Sequence, residues 1–236
     1  MRRSALFQFS KFESKGEYRD IQIELDAILD GDVDAINIKS SGSTEFTGNV
    51  IAKEARLGGV CKIGGNCHID LLNICGESII EGNIVSDKIS VDGKLKCNSK
   101  LIECRELNLS GSITLGGEIK ADILSGKGGL VLEKIEGNNI NLNLDKKTIL
   151  KEIKGKDVNI IGAKSNGFIS KVLYKGGSLV EINTIYGDNI TLENINAKLV
   201  KGNNINIGKN CSISKVEYTG EYKASDRAKV EMLLKV

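Results

Sequence analysis

Apolar residues recur along this chain in steps of two, grouped in short runs that end at small residues. Taken as markers, Gly42, Gly59, Gly76 and Gly93 are each 17 residues apart, Gly111 follows after 18, and Gly128 after another 17. Four residues past the markers stand Phe46, Ile63, Ile80, Cys97, Leu115 and Leu132. Eight past the first five stand Val50, Cys67, Ile84, Leu101 and Ile119, and two before come Leu57, Ile74, Val91 and Leu109. Small residues recur six past, at Gly48, Gly65, Gly82, Ser99 and Gly117, and the rhythm extends back through Ile21, Ile23, Leu29, Val33 and Ala35. A spacing of two is strand periodicity, and small residues mark the places where the chain bends.

Each unit of 17–18 residues therefore predicts about three short strands joined at tight corners. One unit cannot bury its own apolar side, but stacked units can, by aligning like residues along an axis. The predicted fold is all-β: a single-stranded, three-sided β-helix (β-solenoid). The inward offsets expected from the marker are −4, −2, +4 and +8.

The second half repeats less regularly. Gly137-Asn138-Asn139-Ile140-Asn141-Leu142, Gly155-Lys156-Asp157-Val158-Asn159-Ile160, Gly187-Asp188-Asn189-Ile190-Thr191-Leu192 and Gly202-Asn203-Asn204-Ile205-Asn206-Ile207 share one pattern. Ile169 to Tyr174 is echoed by Ile213 to Tyr218. The expected organisation is a basic and aromatic tail or cap over 1–19, regular β-helix over 20–134, continued coils with longer corners over 135–218, and a C-terminal strand or cap over 219–236. No linker separates the halves, so the expectation is one rod of about eleven or twelve coils, roughly 50–60 Å long at ~4.8 Å per coil. At the C-terminus Val230, Met232, Leu234 and Val236 alternate with charges, which predicts a last strand, with a short amphipathic helix as the alternative.

Composition sharpens this picture. The 236 residues include no Pro, as expected where interior strands pair on both edges. Aromatics are 4%, so the core is aliphatic. The net charge of +2 argues against a dedicated nucleic-acid binder. No apolar run approaches the ~18–20 residues of a membrane-spanning helix. The first twelve residues lack an unbroken apolar stretch and do not read as a secretion signal. Six Cys at irregular spacing then read as reduced thiols in a cytoplasmic protein.

Candidate chemistry is sparse. The only histidine, His68, lies between the inward Cys67 and Ile69, so it is expected to point outward without an orienting partner. No Cys pair has the two-residue gap typical of zinc sites. Cys67 and Cys97 fall in aliphatic columns, whereas Cys75 and Cys104 have outward parity. The inward spacing does not follow the six-residue period of left-handed β-helix acyltransferases, and the regular first half offers no long loops of the kind polysaccharide-cleaving β-helices carry. No phosphate-binding loop is present, so no nucleotide, cofactor, metal or catalytic residue is expected.

The N-terminal dodecamer holds Phe7, Phe9 and Phe12 alongside Arg2, Arg3 and Lys11. It reads as a contact with an anionic membrane surface, as a cap or self-association element, or as a disordered tail. With no evident cap at either end, the chain is expected to associate with copies of itself. The candidate end-interface residues are Phe7, Phe9, Phe12, Ile21, Ile23, Val230, Met232 and Leu234. The candidate membrane contacts are Arg2, Arg3, Phe7, Phe9, Lys11 and Phe12.

Two coils, Ile74-Cys75-Gly76-Glu77-Ser78-Ile79-Ile80-Glu81-Gly82-Asn83-Ile84 and Leu107-Asn108-Leu109-Ser110-Gly111-Ser112-Ile113-Thr114-Leu115-Gly116-Gly117-Glu118-Ile119, follow the pattern aliphatic-x-aliphatic-x-Gly-x-x-x-aliphatic-x-Gly-x-aliphatic. From about Asp20 to Lys134 the chain resembles the bactofilins, bacterial polymer-forming cytoskeletal proteins. The ending from Asn204 to Tyr218 resembles that of longer firmicute-type members. The resemblance implies a right-handed β-helix that assembles end to end into non-polar filaments without nucleotide. It also implies a scaffold for cell shape or for localising wall enzymes, in some members with an N-terminal tail on the membrane. This chain departs from the pattern in being about twice the length of a family core and in lacking Pro-containing tails. The alternatives are a non-polymerising β-helical binding module and, from a third class, a carbohydrate-active enzyme or acyltransferase.

Overall fold

A computed structural model describes residues 3–7, 10–13, 17–163 and 180–236. Among these residues every regular element is a strand. Contacts divide the chain into two compact units, Met1–Lys120 and Ala121–Val236.

In the first unit longer and four-residue strands alternate: β1 (Arg3–Phe7), β2 (Ser10–Glu13), β3 (Glu17–Ile23), β4 (Ala27–Asp30), β5 (Val33–Ser40), β6 (Ser43–Phe46) and β7 (Val50–Leu57). The series continues through β8 (Val60–Ile63), β9 (Cys67–Ile74), β10 (Glu77–Ile80), β11 (Ile84–Val91), β12 (Lys94–Cys97), β13 (Leu101–Leu109) and β14 (Ser112–Leu115). Longer strands pair in parallel with longer ones and short with short, so Val50 stacks on Cys67 and Phe46 on Ile63. This is the stacked-coil arrangement of a β-solenoid.

Burial shows why one coil has three sides. In β8 Cys61 and Ile63 point inward; in β9 Cys67 and Ile69 do, then Leu72 and Ile74. Between Ile69 and Leu72 two successive residues, Asp70 and Leu71, face outward. A strict alternation cannot place two neighbours on one side, so the longer strand bends there into two short faces. The three inward pairs close a narrow core. Burying each large aliphatic side chain contributes roughly 1.5–3 kcal/mol.

Columns form because every coil repeats the same bend. Leu29, Phe46, Ile63, Ile80, Cys97 and Leu115 stack in one of them. At the corners, Asp32 starts a ladder in which each side-chain oxygen accepts from the backbone N–H one coil on, at Asn49 (2.7 Å), Asn66 (2.8 Å) and Asn83 (2.9 Å). The glycine markers meet a different constraint. A Cβ on Gly76 would lie 1.9 Å from the Gly59 carbonyl oxygen, and one on Gly93 would lie 2.0 Å from that of Gly76. These corners are stacked backbone on backbone, which is the reason the glycines recur.

The second unit is built on β15 (Glu118–Leu144), which carries the chain into it, then β16 (Thr148–Gly162), β17 (Val180–Glu193), β18 (Asn196–Ile207), β19 (Ser212–Tyr218), β20 (Tyr222–Ala224) and β21 (Lys229–Lys235). The four Gly-led segments stack as their common pattern predicts. Ile140, Val158, Ile190 and Ile205 share one column, and Leu142, Ile160, Leu192 and Ile207 the next. On the outside Asn189 donates to Asp157 (2.7 Å) and Asn204 donates to Asn189 (2.9 Å).

Several expectations change. The inward set also includes offsets +2 and +10, filled by residues such as Thr44, Cys61 and Ser78, and Ala52 and Ile69. Cys104 is buried, not outward, because one extra residue before β13 shifts the register so that Ser86 pairs with Cys104. β17 stacks directly on β16, with Asp157 and Asn189 adjacent although 32 residues apart. The segment 164–179, with the echo at Ile169–Tyr174, lies outside the described residues. At the C-terminus the strand forms, not the helix, but its alternation breaks. Val230 stacks on Ile213 and Leu233 on Val216, while Met232 and Leu234 stack on the outer Lys215 and Glu217.

Candidate assembly surface at the end strands

The last coil has a finished side and an open one. β19 spans a bend between its two buried residues, Ile213 and Val216, and β21 follows it residue for residue. Among the described residues β21 is paired along one edge only, with β19. Its other edge presents unpaired backbone N–H and C=O groups, a template for a further strand.

The side chains on that strand are unusually apolar for an edge. Met232 is 52% exposed, Leu233 45%, Leu234 39% and Val236 63%. Leu233 is the telling residue. Its column is fully buried at Ile185, Val200 and Val216, whereas Leu233 has no strand stacked over it among the described residues. Val230 is half-buried. Lys229 pairs with Glu231 (3.4 Å), and the Lys235 ammonium lies over the Tyr218 ring, 5.8 Å from its centroid.

Of the remaining sequence candidates, Ile21 and Ile23 lie one strand inside: both are buried, and β1 stacks on them through Ala5 and Phe7. They therefore belong to the core of the first unit and not to its edge. Phe12 and Lys11 sit in β2, in register with Leu29 and Ile28, and Arg3 and Phe7 sit at the two ends of β1. Arg2 and Phe9 lie outside the described residues. Leu233 escaped the sequence reading because unbroken alternation hid the bend, whereas Val236 was read as part of the last strand but not among the end-interface residues. Leu6, 57% exposed on β1, escaped it because the aromatic residues around it dominated that segment.

Elsewhere the surface carries cross-coil pairing. Lys62 meets Glu45 (2.9 Å), Lys88 meets Glu106 (2.8 Å), and Arg105 grips Asp87 through two bonds (2.7 and 3.2 Å). Such exposed pairs are screened by solvent and act mainly by favouring one register. The Arg105 guanidinium holds Asp87 below the usual carboxylate range. Hydrogen bonds from Lys88 and then Asn108 do the same for Glu106, and those from Lys215 and then Lys201 for Glu217. A lowered folded value stabilises the fold above the unfolded value and is lost as pH falls through the folded one. Unfolding midpoints are therefore expected to hold near neutrality and to decline below about pH 4.5. Added salt should flatten that decline. A urea titration read by circular dichroism at several pH values checks this.

His68 faces solvent in β9, stacked between Ile51 and Val85. Among the described residues no group of three or more His, Cys, Asp or Glu is arranged to hold a metal ion. No helix among them is long and apolar enough to cross a membrane. Five of the six thiols are buried and Cys75 alone is exposed. Burial pushes the Cys61 thiol up to about 12 and raises Cys67, Cys97 and Cys211 as well. The thiolate is the reactive form, so these groups are inert. A native-state maleimide or disulfide-exchange assay is expected to modify one thiol quickly, at Cys75, and the other five only on unfolding. Fast labelling of two or more would contradict the stacked core.

No protein-family model matches the chain, and no solved structure matches it. A Bacillus subtilis (strain 168) protein described as "Uncharacterized protein YhbE" is 46% identical over 52 residues. The matched stretch covers 22% of this chain and 22% of that protein.

Proposed function

We propose that this chain is a non-enzymatic scaffold that assembles end to end into filaments without nucleotide. The observation that carries the reading is β21: an edge strand with one free side and four exposed apolar residues, Met232, Leu233, Leu234 and Val236. Solenoid proteins that remain single need end units with a polar outer face. This strand has an apolar one, and a further coil would both continue the ladder and cover Leu233. The resemblance to the bactofilins supports the same reading, as do ion pairs that tie coil to coil, such as Lys62 with Glu45 and Arg105 with Asp87. Contact with an anionic membrane through the basic and aromatic N-terminus, or with cell-wall proteins, fits such a scaffold.

A second reading is favoured by one observation. The columns Asn139, Asp157, Asn189, Asn204 and Asn141, Asn159, Thr191, Asn206 form an almost uncharged polar face on the second unit. Such a face suits a binding module that does not polymerise. Electron microscopy of the purified full chain in nucleotide-free buffer separates the two. Filaments that lengthen with protein concentration support the scaffold, and discrete monomers at every concentration support the module.

A further inference from the structure

Building on the proposed self-assembly, we infer that the contact is polar: the open edge of β21 takes β1 of the next copy, in parallel, so that every subunit points the same way. This differs from the non-polar filaments that the family resemblance implies. Failure of the polarity and failure of self-assembly give different experimental results.

The register is readable from the bends. In each longer strand the residue that re-enters the core after the bend stands in one column, which in the second unit runs Ile185, Val200, Val216 and Leu233. In the first unit the equivalent column runs Ala5, Ile21, Ile38, Ala55 and Leu72. Laying β1 on β21 with Ala5 over Leu233 continues that column. The next position out then brings Leu6 over Leu234, two exposed leucines, and the previous one brings Ser4 over Met232. Among the described residues β1 is paired only with β3, so its other edge is free for this. The junction would repeat the parallel pairing found in the strand registers of both units.

The alternative, two β21 strands related by a two-fold axis, has to bring bend against bend. The bend of β21 falls at Glu231 and Met232, opposite Ser214 and Lys215 of β19. A two-fold pairing there sets the Glu231 carboxylate against Met232 and the Lys229 ammonium against Leu234. Each is a charge against an apolar side chain, and each occurs twice by symmetry.

The two-fold contact also carries a charge cost. Met1–Lys120 carries 15 Lys and Arg against 18 Asp and Glu, a net of −3, whereas Ala121–Val236 carries 18 against 13, a net of +5. A two-fold contact joins two basic units, and like charges there repel.

Cross-linking tests the direction in the full chain. Leu6→Cys and Leu234→Cys are made separately in a Cys75→Ser background, mixed under assembling conditions and mildly oxidised. The expected product is the mixed dimer, Leu6→Cys joined to Leu234→Cys, at least tenfold above either homodimer. Leu234→Cys homodimers as the main product would overturn the polar contact alone. So would the absence of any cross-link while filaments are visible by electron microscopy. A chain that stays monomeric throughout would overturn the polar contact and self-assembly together. Three-dimensional reconstruction of wild-type filaments reads the same direction without substitution: a polar repeat agrees, and two-fold axes between subunits contradict it.

Discussion

Gly93→Val is expected to remove more than about 3 kcal/mol of stability, the range reserved for changes that strike a named structural constraint. A Cβ at this position would lie 2.0 Å from the carbonyl oxygen of Gly76, far inside contact distance. The obstruction is backbone, so no side chain can swing away. The same carbonyl accepts a hydrogen bond from the Lys94 N–H at 2.8 Å, and separating the coils to admit a side chain breaks it. The damage should also spread along the stack, because a Cβ on Gly111 would meet the Gly93 carbonyl oxygen in the same way, at 1.8 Å. Gly116→Ala is the control: nothing lies within 4 Å of its added Cβ, and its cost should stay within ~1 kcal/mol. Urea unfolding of both variants checks the contrast. Equal costs would mean that the glycine column is not a steric requirement.

Phe46→Ala should cost about 3–5 kcal/mol, the usual range for deleting a buried ring. Phe46 is fully buried between Leu29 and Ile63 in a column of the first unit. Its neighbours are tied to their own coils by parallel ladders on both sides, so the space left by the ring cannot close by simple collapse. In a stacked architecture each coil touches only its neighbours, and the loss should be local. Hydrogen exchange is the suitable readout: amides of β4, β6 and β8 should lose protection while those of the second unit keep theirs. A uniform loss across both units would argue for a single cooperative body.

The coil was legible in the sequence because a stack imposes the same demand at the same place every turn. Gly59, Gly76 and Gly93 repeat because backbone passes over backbone, and Ile63 and Ile80 repeat because a column must be filled continuously. The inward columns at +2 and +10 were harder to see because their occupants vary. Thr44, Cys61, Ser78, Leu95 and Ile113 share one column, and nothing in those identities announces a common direction. The Thr44 hydroxyl is satisfied there by that of Ser40 at 2.6 Å, whereas the buried Ser78 hydroxyl in the same column has no hydrogen-bond partner among the described residues.

The errors at Cys104 and in β21 have a single cause. Parity counted along a strand fails wherever one residue is inserted or two neighbours share a side at a bend. The open end was legible only as a missing cap. Which residues line it depended on the bend between Ile213 and Val216, which alternation alone conceals. The N-terminal aromatics drew attention in the sequence by their rarity. The exposed leucine beside them, Leu6, carries the clearer structural signal.

The open last strand is the centre of this account, and sedimentation velocity of the full chain in nucleotide-free buffer tests it most directly when wild type is run beside Leu233→Asp. The substituted side chain is half out in solvent, so the fold should survive, as an unchanged far-ultraviolet circular dichroism spectrum would show. Wild type is expected to sediment as species that grow with concentration, and the variant as a single 25.5 kDa particle. Wild type and variant sedimenting alike, whether both as monomers or both as polymers, would contradict the account.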